Sequence, residues 1–279
     1  MTMLQAISDW DAVYANSANI PNGDSWPGRW IEPARAFRES ISASGRARLG
    51  VSYGSGPRNR MDVFLPEAEV RGLMIFVHGG YWMALDRSYW SHLASGALAH
   101  GYAVAIPEYT LCPENRISQI TGEIGAAISA AAEMISGPVV LAGHSAGGHL
   151  VSRMVCENSP LPARDRDRIA HVLSISGLHD LRPMLRTSRS KTLRLDSAEA
   201  AAESPALLTP IPGTRISCWV GASETSEFKR QNALLANIWR GLGAATACIE
   251  EPDRHHFNII DALANPEHPM VLELVSALR

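Results

Sequence analysis

A serine flanked by glycines, a late acidic residue and a still later histidine, in that chain order, are the residue types of nucleophilic acyl chemistry. Here the serine lies in Gly143-His144-Ser145-Ala146-Gly147, directly after the apolar run Val139–Ala142. A serine on a sharp strand-to-helix turn has its hydroxyl pushed out above the sheet. The glycines two before and two after it remove the Cβ atoms that would crowd so tight a bend. Five residues of this pattern alone are a weak signal, since a glycine-rich turn with an ordinary serine reads the same way.

A serine hydroxyl is a poor nucleophile until a neighbour takes its proton. Histidine does this at neutral pH, and an acid must orient it. If Ser145 follows the fifth strand of a sheet, the acid should follow the next-to-last strand and the histidine the last. Both places are filled. Glu224 follows the run Ile216–Val220, with Glu227 as the alternative acid three residues on. His255-His256 follows Thr246–Ile249, and His256, just before Phe257, is the favoured base. Upstream, Leu73–Val77 runs into His78-Gly79-Gly80-Tyr81-Trp82. Backbone amides there can stabilise a developing oxyanion, and losing one such donor costs roughly 3 kcal/mol. The expected donors are Gly80, Tyr81, Ala146 and, with them, Gly79. His78 reads as a loop brace. Trp82 and His144 are candidates for substrate contact.

The elements that would hold these residues are legible as alternating segments. After two alternating strands (Arg46–Tyr53 and Arg60–Leu65) that form an antiparallel pair, short apolar strands follow. They are Leu73–Val77, Ala103–Ile106, Val139–Ala142, Val172–Ile175, Ile216–Val220 and Thr246–Ile249. Helices are predicted over Ser88–Ala99, Ile117–Ile135, Ala146–Glu157, Phe228–Leu242, Phe257–Leu263 and Pro269–Leu278. Uninterrupted apolar strands separated by helices mean a mostly parallel sheet covered on both faces, an α/β fold. Residues 1–44, rich in Trp and Pro, read as a helical, cap-like extension packing on a single main domain over 45–279. Leu181–Pro212 is a long irregular connection, either a lid or a surface excursion.

Composition narrows the function class. The 279 residues carry a net charge of −3, with 46% hydrophobic and 19% charged residues. No basic field is present to attract nucleic acid or anionic lipid. Met1–Trp10 lacks the layout of a secretory signal, and the apolar stretch Ile124–Ile135 is too short to span a bilayer. Cys112, Cys156, Cys218 and Cys248 are scattered and read as small core residues in a reducing cytoplasm. The histidines have no metal-ligand spacing. Gly54-Ser55-Gly56 begins no dinucleotide fingerprint, because Asn59 occupies the last glycine's place. No metal or cofactor is expected, and a homodimer is left open.

With these residues in view, the chain resembles the hormone-sensitive-lipase-like branch of the α/β-hydrolases. The resemblance rests on His78–Trp82, on Glu108-Tyr109-Thr110-Leu111-Cys112-Pro113-Glu114 and on Gly143–Gly148. Within that branch it is most similar to the kynurenine formamidase (arylformamidase) group and its bacterial esterase relatives. Tyr53–Pro57, Met61–Pro66, Ile175–Pro183 and Ser226–Gln231 support the narrower match. The resemblance implies an eight-stranded α/β-hydrolase sheet with Ser145 as nucleophile, His256 as base and Glu224 as acid. The group usually carries aspartate at the acid position and Ser-Pro-Glu-Phe where Thr225-Ser226-Glu227-Phe228 stands. It implies cleavage of a small acyl group, with an aryl formamide such as N-formylkynurenine as the leading substrate and a short-acyl ester as the alternative; a rival of another class is a non-catalytic binding protein that keeps the pocket.

Overall fold

The computed structural model describes residues 6–276. Eight strands form one sheet: β1 Ala47–Ser52, β2 Arg60–Phe64, β3 Gly72–Val77, β4 Tyr102–Pro107, β5 Val139–His144, β6 Ile169–Ile175, β7 Arg215–Gly221 and β8 Ala245–Glu251. Their spatial order is β1-β2-β4-β3-β5-β6-β7-β8. β1 and β2 pair antiparallel, β2 pairs antiparallel with β4, and every later pairing is parallel. The chain steps outward from β3 to β4, then returns to place β5 on the other side of β3. The loops beyond the C-terminal ends of β3 and β5 therefore diverge, and such a switch point opens a crevice.

The helices are α1 Trp10–Val13, α2 Trp26–Ala43, α3 Ser95–Ala99, α4 Ile117–Met134, α5 Ala146–Arg153, α6 Ala163–Arg166, α7 Ser190–Leu193, α8 Ser197–Ala202, α9 Ser226–Gly241 and α10 Pro269–Val275. Side chains alternate across each strand, and β3 shows the result. Leu73, Ile75 and Val77 face the core made with α4, α5 and α9. Met74 and Phe76 face a second core with Trp30 of α2, Trp90 and Met270 of α10. Complete burial of a side chain such as Phe76 is worth about 1.5–3 kcal/mol.

Several boundaries depart from the sequence expectation. The helix expected over Ser88–Ala99 is two 3₁₀ turns followed by the short α3. Trp90 interrupts it, with φ −121° and ψ 0°, because its ring is drawn inward against Trp30 at 4.6 Å. α5 ends at Arg153 rather than Glu157, where the backbone tightens and Cys156 bridges to Pro210. The segment predicted as a helix over Phe257–Leu263 is a 3₁₀ turn over Ile259–Ala264. Leu278, the predicted end of the last helix, lies outside the described residues. Cys248 is exposed, unlike the other three cysteines, because β8 is the sheet's edge strand.

The segment between β6 and β7 contains α7, α8 and flanking 3₁₀ turns. Arg116 donates to Glu199 at 2.7 Å, and Arg153 pairs with Glu203 at 3.1 Å. Those buried carboxylates anchor the α8 end of the segment to α4 and α5. Among the described residues, no helix is long and apolar enough to cross a membrane.

Candidate active site

The turn from β5 into α5 is as tight as sequence logic demands. Ser145 holds φ 55° and ψ −116°, a region costly for a residue with a Cβ. A Cβ on Gly147 would sit 1.9 Å from the Val77 carbonyl oxygen, and one on Gly143 would sit 2.2 Å from the Gly147 oxygen. These glycines let α5 dive beneath the serine. The Ser145 amide donates to the Ile175 carbonyl at 2.8 Å, which ties the turn to β6.

Ser145 and His256 open onto one cavity of about 470 Å³. His256 Nδ1 donates to Glu224 Oε2 at 2.7 Å. The other oxygen, Oε1, accepts from Ser176 Oγ at 2.5 Å and from the Gly221 amide at 2.9 Å. Three donors thus fix a carboxylate whose side chain is wholly buried. Ionised, that carboxylate only accepts, so the imidazole carries its proton on Nδ1 and leaves Nε2 as the lone-pair nitrogen.

Of the two acids that the sequence left open, only Glu224 reaches His256. Glu227 points the other way, accepting from Tyr14 at 2.6 Å and pairing with Arg230 at 2.7 Å. His255 is also set aside. Its Nδ1 accepts from the Phe257 and Asn258 amides, and its ring meets Trp26 edge-on at 4.9 Å.

The loop after β3 forms the facing wall. Gly80, Tyr81 and Trp82 all have positive φ, at 108°, 51° and 57°. A run of this kind turns successive N–H groups toward one point and makes an anion-binding concavity. Among the described residues, the amides of Gly79, Gly80, Tyr81 and Ala146 donate to no backbone carbonyl. Gly79, Gly80 and Tyr81 line the cavity, and Ala146 is the first residue of α5. A Cβ on Gly79 would lie 3.0 Å from the Ser145 Cβ, so this wall presses close to the serine. His78 braces the loop, donating from Nδ1 to the Gly79 carbonyl at 2.7 Å and stacking on Tyr109 at 4.4 Å.

Of the two expected substrate contacts, Trp82 turns away from the cavity and His144 lines it. Trp82 is completely buried and meets His149 edge-on at 5.2 Å. The positive φ that presents the neighbouring amides turns its ring into the core, and it is not among the cavity-lining residues. His144 does line the cavity, yet its Nε2 donates to the His256 carbonyl at 2.8 Å. Burial, and secondarily His256 beside it, push its pKa well below the usual histidine value. Held neutral, it fixes the backbone that carries His256.

Sequence reasoning missed most of the outer wall. Ala15, Asn16, Ser17, Ala18, Asp24, Pro27 and Trp30 from the N-terminal extension reach the cavity, as does Arg189. Several hydrogen bonds pin the extension near the site, two of them to its backbone carbonyls. Tyr81 Oη donates to the Tyr14 carbonyl at 2.6 Å, and Thr225 Oγ1 donates to the Val13 carbonyl at 2.8 Å. Clustered aromatics were the available signal, but no local pattern told which of them face the site.

Comparison with known proteins agrees with the fold. Residues 74–257 match the family described as alpha/beta hydrolase fold. The chain belongs to the α/β-hydrolase family. Kynurenine formamidase of Danio rerio is 26% identical, covering 94% of this chain and 96% of its own. That of Drosophila melanogaster is 27% identical, over 81% and 80%. A solved structure from Silicibacter sp. TM1040, provisionally called a thioesterase, is 47% identical with a TM-score of 0.90. It covers 96% of this chain and 99% of its own. Esterase B from Lactobacillus rhamnosis shares the fold at 18% identity and TM-score 0.63, with 96% and 93% covered. This α/β-hydrolase is therefore a hydrolytic enzyme.

Proposed function

We propose that the protein is a serine hydrolase that removes a small acyl group from an aryl amine, with N-formylkynurenine as the representative substrate. In this reading Ser145 Oγ attacks the formyl carbon while His256 Nε2 takes its proton. Glu224 holds the imidazole in the required tautomer and stabilises the imidazolium that forms. The tetrahedral oxyanion is received by the amides of Gly80, Tyr81 and Ala146, with Gly79 beside them. Collapse of the intermediate passes the proton from His256 to the departing arylamine nitrogen and leaves a formyl ester on Ser145. Water, deprotonated by His256, then releases formate and restores the serine.

The observation that carries the small-acyl reading is the close approach of Gly79 to Ser145, with 3.0 Å between a Cβ built there and the serine Cβ. We read this wall as crowding the acyl side, which suits a one-carbon acyl group. The formamidase relatives, matched along nearly the whole chain, favour an aryl formamide within that class. The solved relative provisionally called a thioesterase favours a second reading, a short-acyl ester or thioester hydrolase.

The test is kcat/KM for N-formylkynurenine against p-nitrophenyl acetate and butyrate. The formamide should be turned over efficiently, and butyrate should be poorer than acetate. Efficient ester turnover with no formamide cleavage overturns the formamide reading.

A further inference from the structure

The amide of Tyr81 is one of the expected oxyanion donors, yet its own backbone does not fix where it points. Gly80, on one side of the peptide plane, has φ 108°, and a glycine turns freely there. Tyr81 itself has φ 51° and Trp82 φ 57°, a left-handed conformation costly for a residue with a Cβ. Such backbone persists only where its surroundings over-determine it. Trp82 has that support, since its carbonyl accepts from the Cys112 amide at 2.8 Å and its ring is buried in the core. For Tyr81 the support is the side chain. Its hydroxyl donates to the Tyr14 carbonyl at 2.6 Å and accepts from Asn16 Nδ2 at 3.4 Å. The Arg189 guanidinium carbon lies 4.6 Å from the centroid of its ring.

The segment that holds Tyr81 is itself tied to the loop of the catalytic acid. Thr225, next to Glu224, donates from Oγ1 to the Val13 carbonyl at 2.8 Å. Tyr14 is completely buried. Its hydroxyl donates to Glu227 Oε1 at 2.6 Å and accepts from Gln231 Nε2 at 3.2 Å. Glu227 pairs in turn with Arg230. Residues 13–16 thus run as a strap from the start of α9 to the loop after β3. We infer that the Tyr81 hydroxyl is a positioning group for the reaction at Ser145. Hooked on this strap, it holds the Gly80–Tyr81 peptide plane with its N–H toward the developing oxyanion. This rests on the acyl-transfer role of Ser145 and deepens it, because it makes the N-terminal extension part of what stabilises the transition state. Glu227, three residues beyond the acid that reaches His256, acts through the same strap.

Tyr81→Phe tests the hook, because it removes the hydroxyl and keeps the ring, the backbone and the amide. Deleting an oxyanion donor outright costs about 10²- to 10³-fold in kcat. A donor that has only lost its anchor should cost part of that, about tenfold. The amide acts on the tetrahedral intermediate more than on bound substrate, so the loss should fall on kcat, with KM within about twofold of wild type. Phenylboronic acid forms a tetrahedral adduct with a serine hydroxyl, and its inhibition constant should rise by about the factor that kcat/KM falls. Tyr14→Phe cuts the strap at its other end and leaves the carbonyl that Tyr81 uses. Alone it should lower kcat severalfold. In the Tyr81→Phe background it should lower kcat much less, since both changes act through one hook.

Rates are read on N-formylkynurenine and p-nitrophenyl acetate, with thermal unfolding as the folding control. Tyr81 is partly exposed, so Tyr81→Phe remains decisive even where Tyr14→Phe destabilises the fold. Cleavage of the acetate alone removes the formamide reading and leaves the hook to be judged on the acetate. A wild type that cleaves neither overturns the acyl-transfer reading and the inference with it. With an active wild type, a Tyr81→Phe enzyme whose kcat stays within about twofold of wild type overturns the inference alone. So does a loss carried through KM with boronate binding unchanged, or losses from the two substitutions that simply multiply in the double variant.

Discussion

Replacing Glu224 with glutamine asks whether this carboxylate sets the tautomer of His256. The substitution keeps volume and removes one acceptor. Wild-type Oε2 accepts from His256 Nδ1, while Oε1 accepts from Ser176 and Gly221. The amide has two ways to sit. With its oxygen toward Ser176 and the Gly221 amide, its NH₂ faces His256 Nδ1. The ring must then carry its proton on Nε2, the nitrogen that should accept from Ser145. That arrangement satisfies the buried groups and is inactive, and wrong-tautomer variants of this kind lose about 10⁴-fold in kcat, or about 5 kcal/mol. With its oxygen toward His256, the NH₂ opposes the Gly221 N–H. A buried donor without an acceptor costs about 1–3 kcal/mol, so this competent arrangement is the minor one. Even there the imidazolium loses its counter-charge. The expected loss in kcat is therefore about 10²- to 10⁴-fold, with a melting temperature within a few degrees of wild type. The assay is steady-state turnover of p-nitrophenyl acetate and N-formylkynurenine, with thermal unfolding as the folding control. A folded Glu224→Gln enzyme that keeps more than a tenth of wild-type kcat refutes the tautomer argument.

Two further expectations concern the scaffold. Gly147→Ala places a methyl group 1.9 Å from the Val77 carbonyl oxygen, where only backbone movement can relieve the clash. It should lower the melting temperature by several degrees and cut activity, and an unchanged melting curve contradicts the packing described here. Acid should also unfold the protein over a definite window. Burial lowers His78 and His171 to about 4, His149 and His179 to about 3, and His144 well below its usual value. Unfolded histidines bind protons near pH 6.5, so the unfolded state binds more protons between pH 6.5 and 4 and stability falls with pH there. Each such histidine contributes up to about 1.4 kcal/mol per pH unit. Thermal melts at pH 7.5, 6 and 5 should show a steepening drop, and equal midpoints at pH 7.5 and 5 would exclude buried neutral histidines.

The sheet was readable because its central strands are buried on both faces and so appear as unbroken apolar runs. Their spatial order was not readable, since no strand records its neighbour. Ser145 was readable because a strained elbow leaves glycines at fixed offsets. Glu224 and Glu227 could not be separated from spacing alone. A helix start at Ser226 turns Glu227 toward Tyr14, a partner 213 residues away. Trp82 misled for a related reason, because three successive positive φ angles reverse where its ring points. Ser176, which orients Glu224, and Tyr14, which holds the Tyr81 hydroxyl, follow no local pattern. Their placement depends on how distant segments meet over the C-terminal ends of the strands.

The central claim is that Ser145 forms the acyl-enzyme. Titrating the wild type with a fluorophosphonate while following N-formylkynurenine hydrolysis, and then locating the adduct by peptide mass spectrometry, tests it directly. Activity should vanish in proportion to label, with one equivalent on the Ser145 peptide and none taken up by Ser145→Ala. Formamide hydrolysis that survives complete labelling, or an adduct on another residue, contradicts it.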